Sequence, residues 1–150
     1  EKQLAFMGGN IDFSFTAYQL IDDDGHNLGQ TVDSTQIGCF SYEDMLRKKA
    51  TLGCSTVMLR KSGFDKIEMP LLRTGQDYAL WLSLLREGAQ ACILSEVLTK
   101  YRISPKSISR NKIKKAKRQW QIYRELEDLS ILKSSLCFCF YAIRAIFRQK

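Results

Sequence analysis

"TGQDYALWLSLLREG", residues 74–88, decides how the chain is read. Leu80, Trp81, Leu84 and Leu85 fall at i, i+1, i+4 and i+5, which is one apolar stripe of a helix that packs into a core. Arg86 and Gly88 close that helix, a cation in the last turn and a glycine after it. Ahead of it stand Gly75, Gln76 and Asp77. An aspartate there has two readings. Asp is a strong N-cap, and on sequence alone the cap is the plainer reading. A carboxylate at a helix N-terminus also stays ionised, and here it precedes the stripe and points out of the core. Those are the requirements of a general base.

Outward from this segment, the chain offers enough material for one domain or part of one: 150 residues, 45% of them apolar. No repeat or low-complexity tract is present, and the first residues lead us to expect no signal peptide. The start, "EKQLAFMGGN", lacks an initiator Met and reads as the middle of a helix, so a fragment of a longer protein is expected. Five cysteines (Cys39, Cys54, Cys92, Cys137, Cys139) lack metal-site spacing and read as small apolar residues of a reducing cytoplasm.

The net charge of +7 is unevenly spread. Residues 1–44 hold eight acids and one base, whereas residues 97–124 hold ten bases and no acid. The densest part, "KSISRNKIKKAKR" (106–118), suits a phosphate-bearing partner or a solvated helix face.

Residues 1–8 read as a helix closed by Gly8-Gly9. In "IDFSFTAYQLIDDDGHNLG", Phe13, Phe15 and Ala17 alternate with polar residues as in a strand, and "DDDGHNLG" turns it into a hairpin. Asp22–Asp24 read as that turn and not as a metal site, because neighbouring residues point to opposite sides and do not converge on one ion. His26 reads as part of the same turn, without a catalytic constellation. "SYEDMLRKKA" reads as a short helix with a capping box from Ser41 to Asp44. In "TLGCSTVMLRKSGF", Cys54 to Leu59 read as a strand buried on both faces, and an irregular stretch from Ser62 leads to the Trp helix. Two extended segments follow at 90–94 and 98–103, then a helix from Asn111 to about Asp128 with Ile113, Ala116, Trp120 and Tyr123 on its apolar stripe. The last segment, 131–150, has an apolar run of eight residues, too short for the roughly 20 of a membrane span. It suits a core helix or an interfacial one, with Phe138, Phe140, Tyr141 and Phe147 inward and Arg144, Arg148 and Lys150 towards lipid phosphates.

In this order, "EKQLAFM", "QLIDDDG", "STVMLRKSGF", "QDYALWLSLLREG", "LTKYRISPKSISRNK" and "QWQIYRELEDLSILKSS" closely resemble the C-terminal half of bacterial family 2 glycosyltransferases of the GT-A fold. The likeness is nearest to enzymes of capsule, lipopolysaccharide and related surface-glycan assembly. It implies an α/β fold with a small mixed sheet, an acceptor-side half over 1–104, and basic and amphipathic helices over 105–150. In that family the residue pair before the Trp helix is usually Glu-Asp, whose Asp is the base of an inverting transfer. Asp77 matches it; Gln76 departs at the other position. The resemblance also implies substrate contacts for Gln76 and Trp81, and diphosphate contacts for Arg102, Ser107, Ser109 and Arg110.

The family's nucleotide-binding half and its Asp-x-Asp metal motif, which would come shortly before "EKQLAFM", lie outside this sequence. The expectation is therefore a parent enzyme that uses a nucleotide sugar, Mg²⁺ or Mn²⁺, and a glycan or lipid-linked acceptor. Its expected location is cytoplasmic and peripheral to the inner membrane, and the fragment alone is expected to be inactive, with no metal of its own. The competing readings are a nucleic-acid module resting on the basic block, and a non-catalytic scaffold. The first lacks a helix-turn-helix, zinc-finger or RNP pattern, and its acidic first third repels phosphate. Self-association through an apolar flank is a further expectation of a half-fold.

Overall fold

The computed structural model describes residues 1–104 and 112–147. It is a mixed α/β domain with one small mixed sheet followed by C-terminal helices, consistent with part of a GT-A fold. Helix α1 (Lys2–Met7) leads into β1 (Phe13–Ile21), which the Asp22–Gly25 turn joins to β2 (Asn27–Val32). Then come β3 (Cys39–Phe40), α2 (Tyr42–Leu46), β4 (Val57–Leu59), α3 (Gln76–Arg86) and β5 (Ala91–Arg102). Helices α4 (Lys112–Gln121) and α5 (Ile131–Phe147) end the described chain, with a π-helical turn at Ile122–Leu126 between them.

Strand β1 is the centre of the sheet. It pairs with β5 in parallel on one side, and with β4 and β2, both antiparallel, on the other. Its alternating sequence predicts one wet face, yet Ser14 and Thr16 are as buried as Phe13 and Phe15. On the polar face, Gln3 of α1 donates to Ser14 Oγ at 3.1 Å and to the Thr56 carbonyl at 3.0 Å. The apolar residues Phe13 and Phe15 join the α3 core, with the Phe13 ring 5.5 Å from Trp81.

Several expectations are corrected here. The strand expected over 54–59 is only Val57–Leu59, half-buried, because a 3₁₀ turn at Cys54–Thr56 precedes it. The two segments at 90–94 and 98–103 are one strand, β5; its register against β1 jumps from Leu94 to Val97, so Ser95 and Glu96 form an irregularity within it. The stripe expected on the helix from Asn111 holds only at its end: Tyr123 is buried, with Gln119 and Ile122 beside it, whereas Ile113 and Trp120 are 71% and 37% exposed. The π turn shifts the helical phase at that point.

The cysteines are corrected too. Cys39 and Cys92 are directly paired residues of β3 and β5 and form a disulfide. Of the three free thiols only Cys137 is buried, so the cysteine pattern carries no argument for a reducing compartment. Among the described residues no helix is long and apolar enough to cross a membrane.

The C-terminal helices share the core of the sheet domain: Ile122, Tyr123, Leu129 and Cys137 pack with Leu80, Leu84 and Leu85. Tyr123 donates to the Leu46 carbonyl at 2.7 Å and Tyr78 to the Met45 carbonyl at 2.9 Å, which ties α3 and the π turn to the end of α2. Glu127, with its side chain 3% exposed, accepts from Tyr42 at 2.7 Å and pairs with Arg86 at 3.2 Å.

Candidate active site

The apolar stripe of α3 is buried as its spacing requires: Ala79, Leu80, Trp81, Leu82, Leu84 and Leu85 are each at most 3% exposed. This fixes which way the first turn faces. Gln76 and Asp77 remain half-buried, outside the core. The N-cap is Gly75, not Asp77: Asp77 is the second residue of the helix, and its Oδ1 accepts from the Tyr78 N–H at 2.8 Å.

Gly75 has φ +75°, a conformation that costs side-chain-bearing residues. A β-carbon there would come within 3.3 Å of Ile122 Cδ1 and 3.5 Å of Arg118 Cγ. So α4 and the π turn close over the start of α3, and Arg118 becomes a neighbour of the site. On another side stands Cys54, in the 3₁₀ turn before β4; burial and then the Asp77 charge raise its thiol pKa. The Lys48 ammonium lies 2.9 Å above the ring of Tyr78, the residue next to Asp77. Sequence reasoning missed Cys54, Lys48 and Arg118, because each is 23 or more residues from Asp77 and no local pattern links them.

The other expected residues are placed differently. Trp81 is 3% exposed and packs on Phe13, so its side chain serves the core and presents no face to a substrate. Arg102, paired with Ile21 at the end of β5, donates to the carbonyls of Asp22 (2.9 Å) and Asp23 and so anchors the hairpin. Ser107, Ser109 and Arg110 lie outside the described residues.

The hairpin turn carries a cluster that the sequence reading dismissed. The ligand atoms of Asp22, Asp24 and His26 lie within 4.8 Å of one another. Residues i, i+2 and i+4 converge where immediate neighbours do not. The cluster is a poor fit for Mg²⁺ or Mn²⁺, which need near-octahedral oxygen ligands. Asp22 Oδ1 already accepts from the N–H groups of Asp24 (3.0 Å) and His26 (2.8 Å), and Oδ2 faces the His26 ring at 3.2 Å. Those bonds define a turn, and no metal step is derived from it.

A cleft of about 600 Å³ lies at the opposite end of α3, lined among others by Asp12, Phe64, Leu84 and Glu87. It does not include Asp77.

No family model and no solved structure matches the chain. Curated proteins do. TuaG of Bacillus subtilis, named as a glycosyltransferase of teichuronic acid biosynthesis, is 43% identical over 147 residues, 97% of this chain and 57% of TuaG. Two Escherichia coli proteins, WfgD and WfaP, are both named UDP-Glc:alpha-D-GlcNAc-diphosphoundecaprenol beta-1,3-glucosyltransferase. WfgD is 34% identical over 81% of this chain and 47% of its own length, and WfaP is 33% identical over 73% and 42%. The chain is thus a homologue of bacterial glycosyltransferases and spans about half the length of the relatives it matches.

Proposed function

We propose that this chain is the acceptor-side half of an inverting family 2 glycosyltransferase of surface-polysaccharide assembly, with Asp77 as its general base. The observation that carries this reading is the position of Asp77: an acid in the first turn of a buried helix, itself half-buried and outside the core. Similarity to TuaG, WfgD and WfaP supplies the reaction class. In the step, an acceptor hydroxyl gives its proton to an Asp77 carboxylate oxygen. The hydroxyl oxygen forms the new bond to the anomeric carbon. The bond from that carbon to the donor phosphate breaks, and its electron pair leaves with the nucleoside diphosphate.

Donor and divalent metal belong to residues beyond this chain in this reading, so the chain alone is inactive. The acceptor is a glycan or a lipid-linked glycan, and segment 131–150 makes the membrane contact. Transfer assays of the parent protein with a panel of nucleotide sugars test the class, and NMR of the product tests the stereochemistry. The expected product has an anomeric configuration opposite to the donor's. Retention of configuration, or no transfer from any nucleotide sugar by a folded parent, overturns the reading.

A further inference from the structure

The outer face of α5 carries an apolar stripe that no described residue covers. Leu132, Leu136, Phe140 and Ile143 recur at helical spacing and are 83%, 54%, 38% and 51% exposed. The opposite face is occupied. Ser134 and Cys137 are buried, and the Phe138 ring meets Trp120 at 5.8 Å. The sequence expectation that the aromatics as a group face lipid is thereby corrected: Phe138 turns to the protein, Tyr141 is half-buried, and the wet stripe is mainly aliphatic.

At its C-terminal end the stripe opens into a cleft of about 530 Å³. Phe140 and Ile143 form its apolar wall, and Arg47, Lys49 and Arg144 supply three cations. Two of these have acidic partners: Arg144 pairs with Asp33 at 3.4 Å and Lys49 with Asp44 at 2.6 Å. Arg47 is exposed and has no ion pair among the described residues; its guanidinium lies 6.0 Å from the Phe140 ring centroid. Three cations against two acids leave the cleft positive.

A bare apolar stripe does not say what covers it. A positive cleft at its end narrows the choice to an amphiphile with an anionic head. We propose that α5 lies in the surface of an anionic bilayer, its stripe among the upper acyl chains and a phospholipid phosphate in the cleft beside Arg47. This deepens the membrane contact of the proposed function without using Asp77, so vesicle binding and transferase activity fail separately.

The test is co-sedimentation of the chain with vesicles of phosphatidylcholine alone or mixed with phosphatidylglycerol. Binding should require phosphatidylglycerol and weaken with salt. Arg47→Gln should lower the partition coefficient about fivefold, the value of one surface charge. Leu132→Asp should lower it further, with circular dichroism unchanged in both. Lys66→Gln, an exposed charge removed outside this cleft, should leave binding as in the wild type. Any of these results overturns the proposal: no phosphatidylglycerol-dependent binding at low salt; binding kept in both Arg47→Gln and Leu132→Asp, which would move the contact to the 106–118 block; or Lys66→Gln weakening it as much as Arg47→Gln. A concentration-dependent dimer abolished by Leu132→Asp, without vesicle binding, would likewise overturn it in favour of a second copy.

Discussion

Gly75→Ala probes the joint that sets Asp77 in place. Glycine is required there for two separable reasons. Its φ of +75° is left-handed, which costs an alanine about 1–2 kcal/mol. Its missing side chain also leaves room for α4, since a β-carbon would stand 3.3 Å from Ile122 Cδ1 and 3.5 Å from Arg118 Cγ. The first contact is tight, but it meets the end of a flexible side chain; the second is ordinary, so the added crowding costs little. Against this, alanine reduces unfolded-state entropy and returns about 0.4–1 kcal/mol. The net expectation is a loss of about 1 kcal/mol. Urea denaturation would show it as a midpoint lower by about 0.5 M, for an m-value near 2 kcal/mol/M. Gly53→Ala is the internal control: φ is −72°, and the nearest atoms to its β-carbon are 3.8 Å away on Thr56. That variant should be neutral or slightly stabilising. If Gly75→Ala stabilised the protein as much as Gly53→Ala, neither the left-handed turn nor the α3–α4 joint would be as described.

Under oxidising conditions intact mass should show the chain lighter than its reduced form by one hydrogen pair, and peptide mapping should join Cys39 to Cys92. The bridge closes a separation of 53 residues, so reduction should cost about 4 kcal/mol by the chain-entropy estimate; a titration that finds five free thiols contradicts the pairing. Asp44, held by Lys49 and the Ser41 N–H, has its pKa depressed from 3.8 to about 2. Its contribution is therefore full above 3.8 and lost as pH falls through about 2. Asp44→Ala should cost about 1 kcal/mol at neutral pH and nothing below that window; a pH-independent difference would refute the capping-box assignment. Asp77→Asn should lower the Cys54 pKa, since it removes the charge that adds to burial in raising it. Iodoacetamide should then modify Cys54 faster near neutral pH while Cys139 keeps its rate; an unchanged Cys54 rate would separate the two residues.

What the sequence disclosed is local. The capping box at Ser41 forms as read, with the Ser41 hydroxyl accepting from the Asp44 N–H and the Asp44 carboxylate accepting from the Ser41 N–H. The α3 stripe and the β1–β2 hairpin are equally short-range, and both are found. What stayed hidden depends on partners distant in the chain. Ser95-Glu96 looked like a break because polar residues interrupt the strand pattern; in the fold Ser95 donates to the Gln36 carbonyl and Glu96 pairs with Lys2. The Cys39–Cys92 bond depends on the β3–β5 register, which no spacing announces. Asp77 was visible because it heads a periodic helix. Its neighbours Cys54 and Arg118 were not, since only tertiary packing brings them there.

The most direct test of the account is turnover of the full-length parent protein carrying Asp77→Asn. Asparagine keeps the size of the side chain and an acceptor oxygen for the Tyr78 N–H, so folding and donor binding should persist. It does not take a proton at neutral pH. General base catalysis contributes about 10²–10⁴-fold, so turnover should fall by that factor with donor affinity unchanged. Wild-type turnover from a folded Asp77→Asn enzyme would contradict the account and leave Asp77 as no more than a first-turn residue of a core helix.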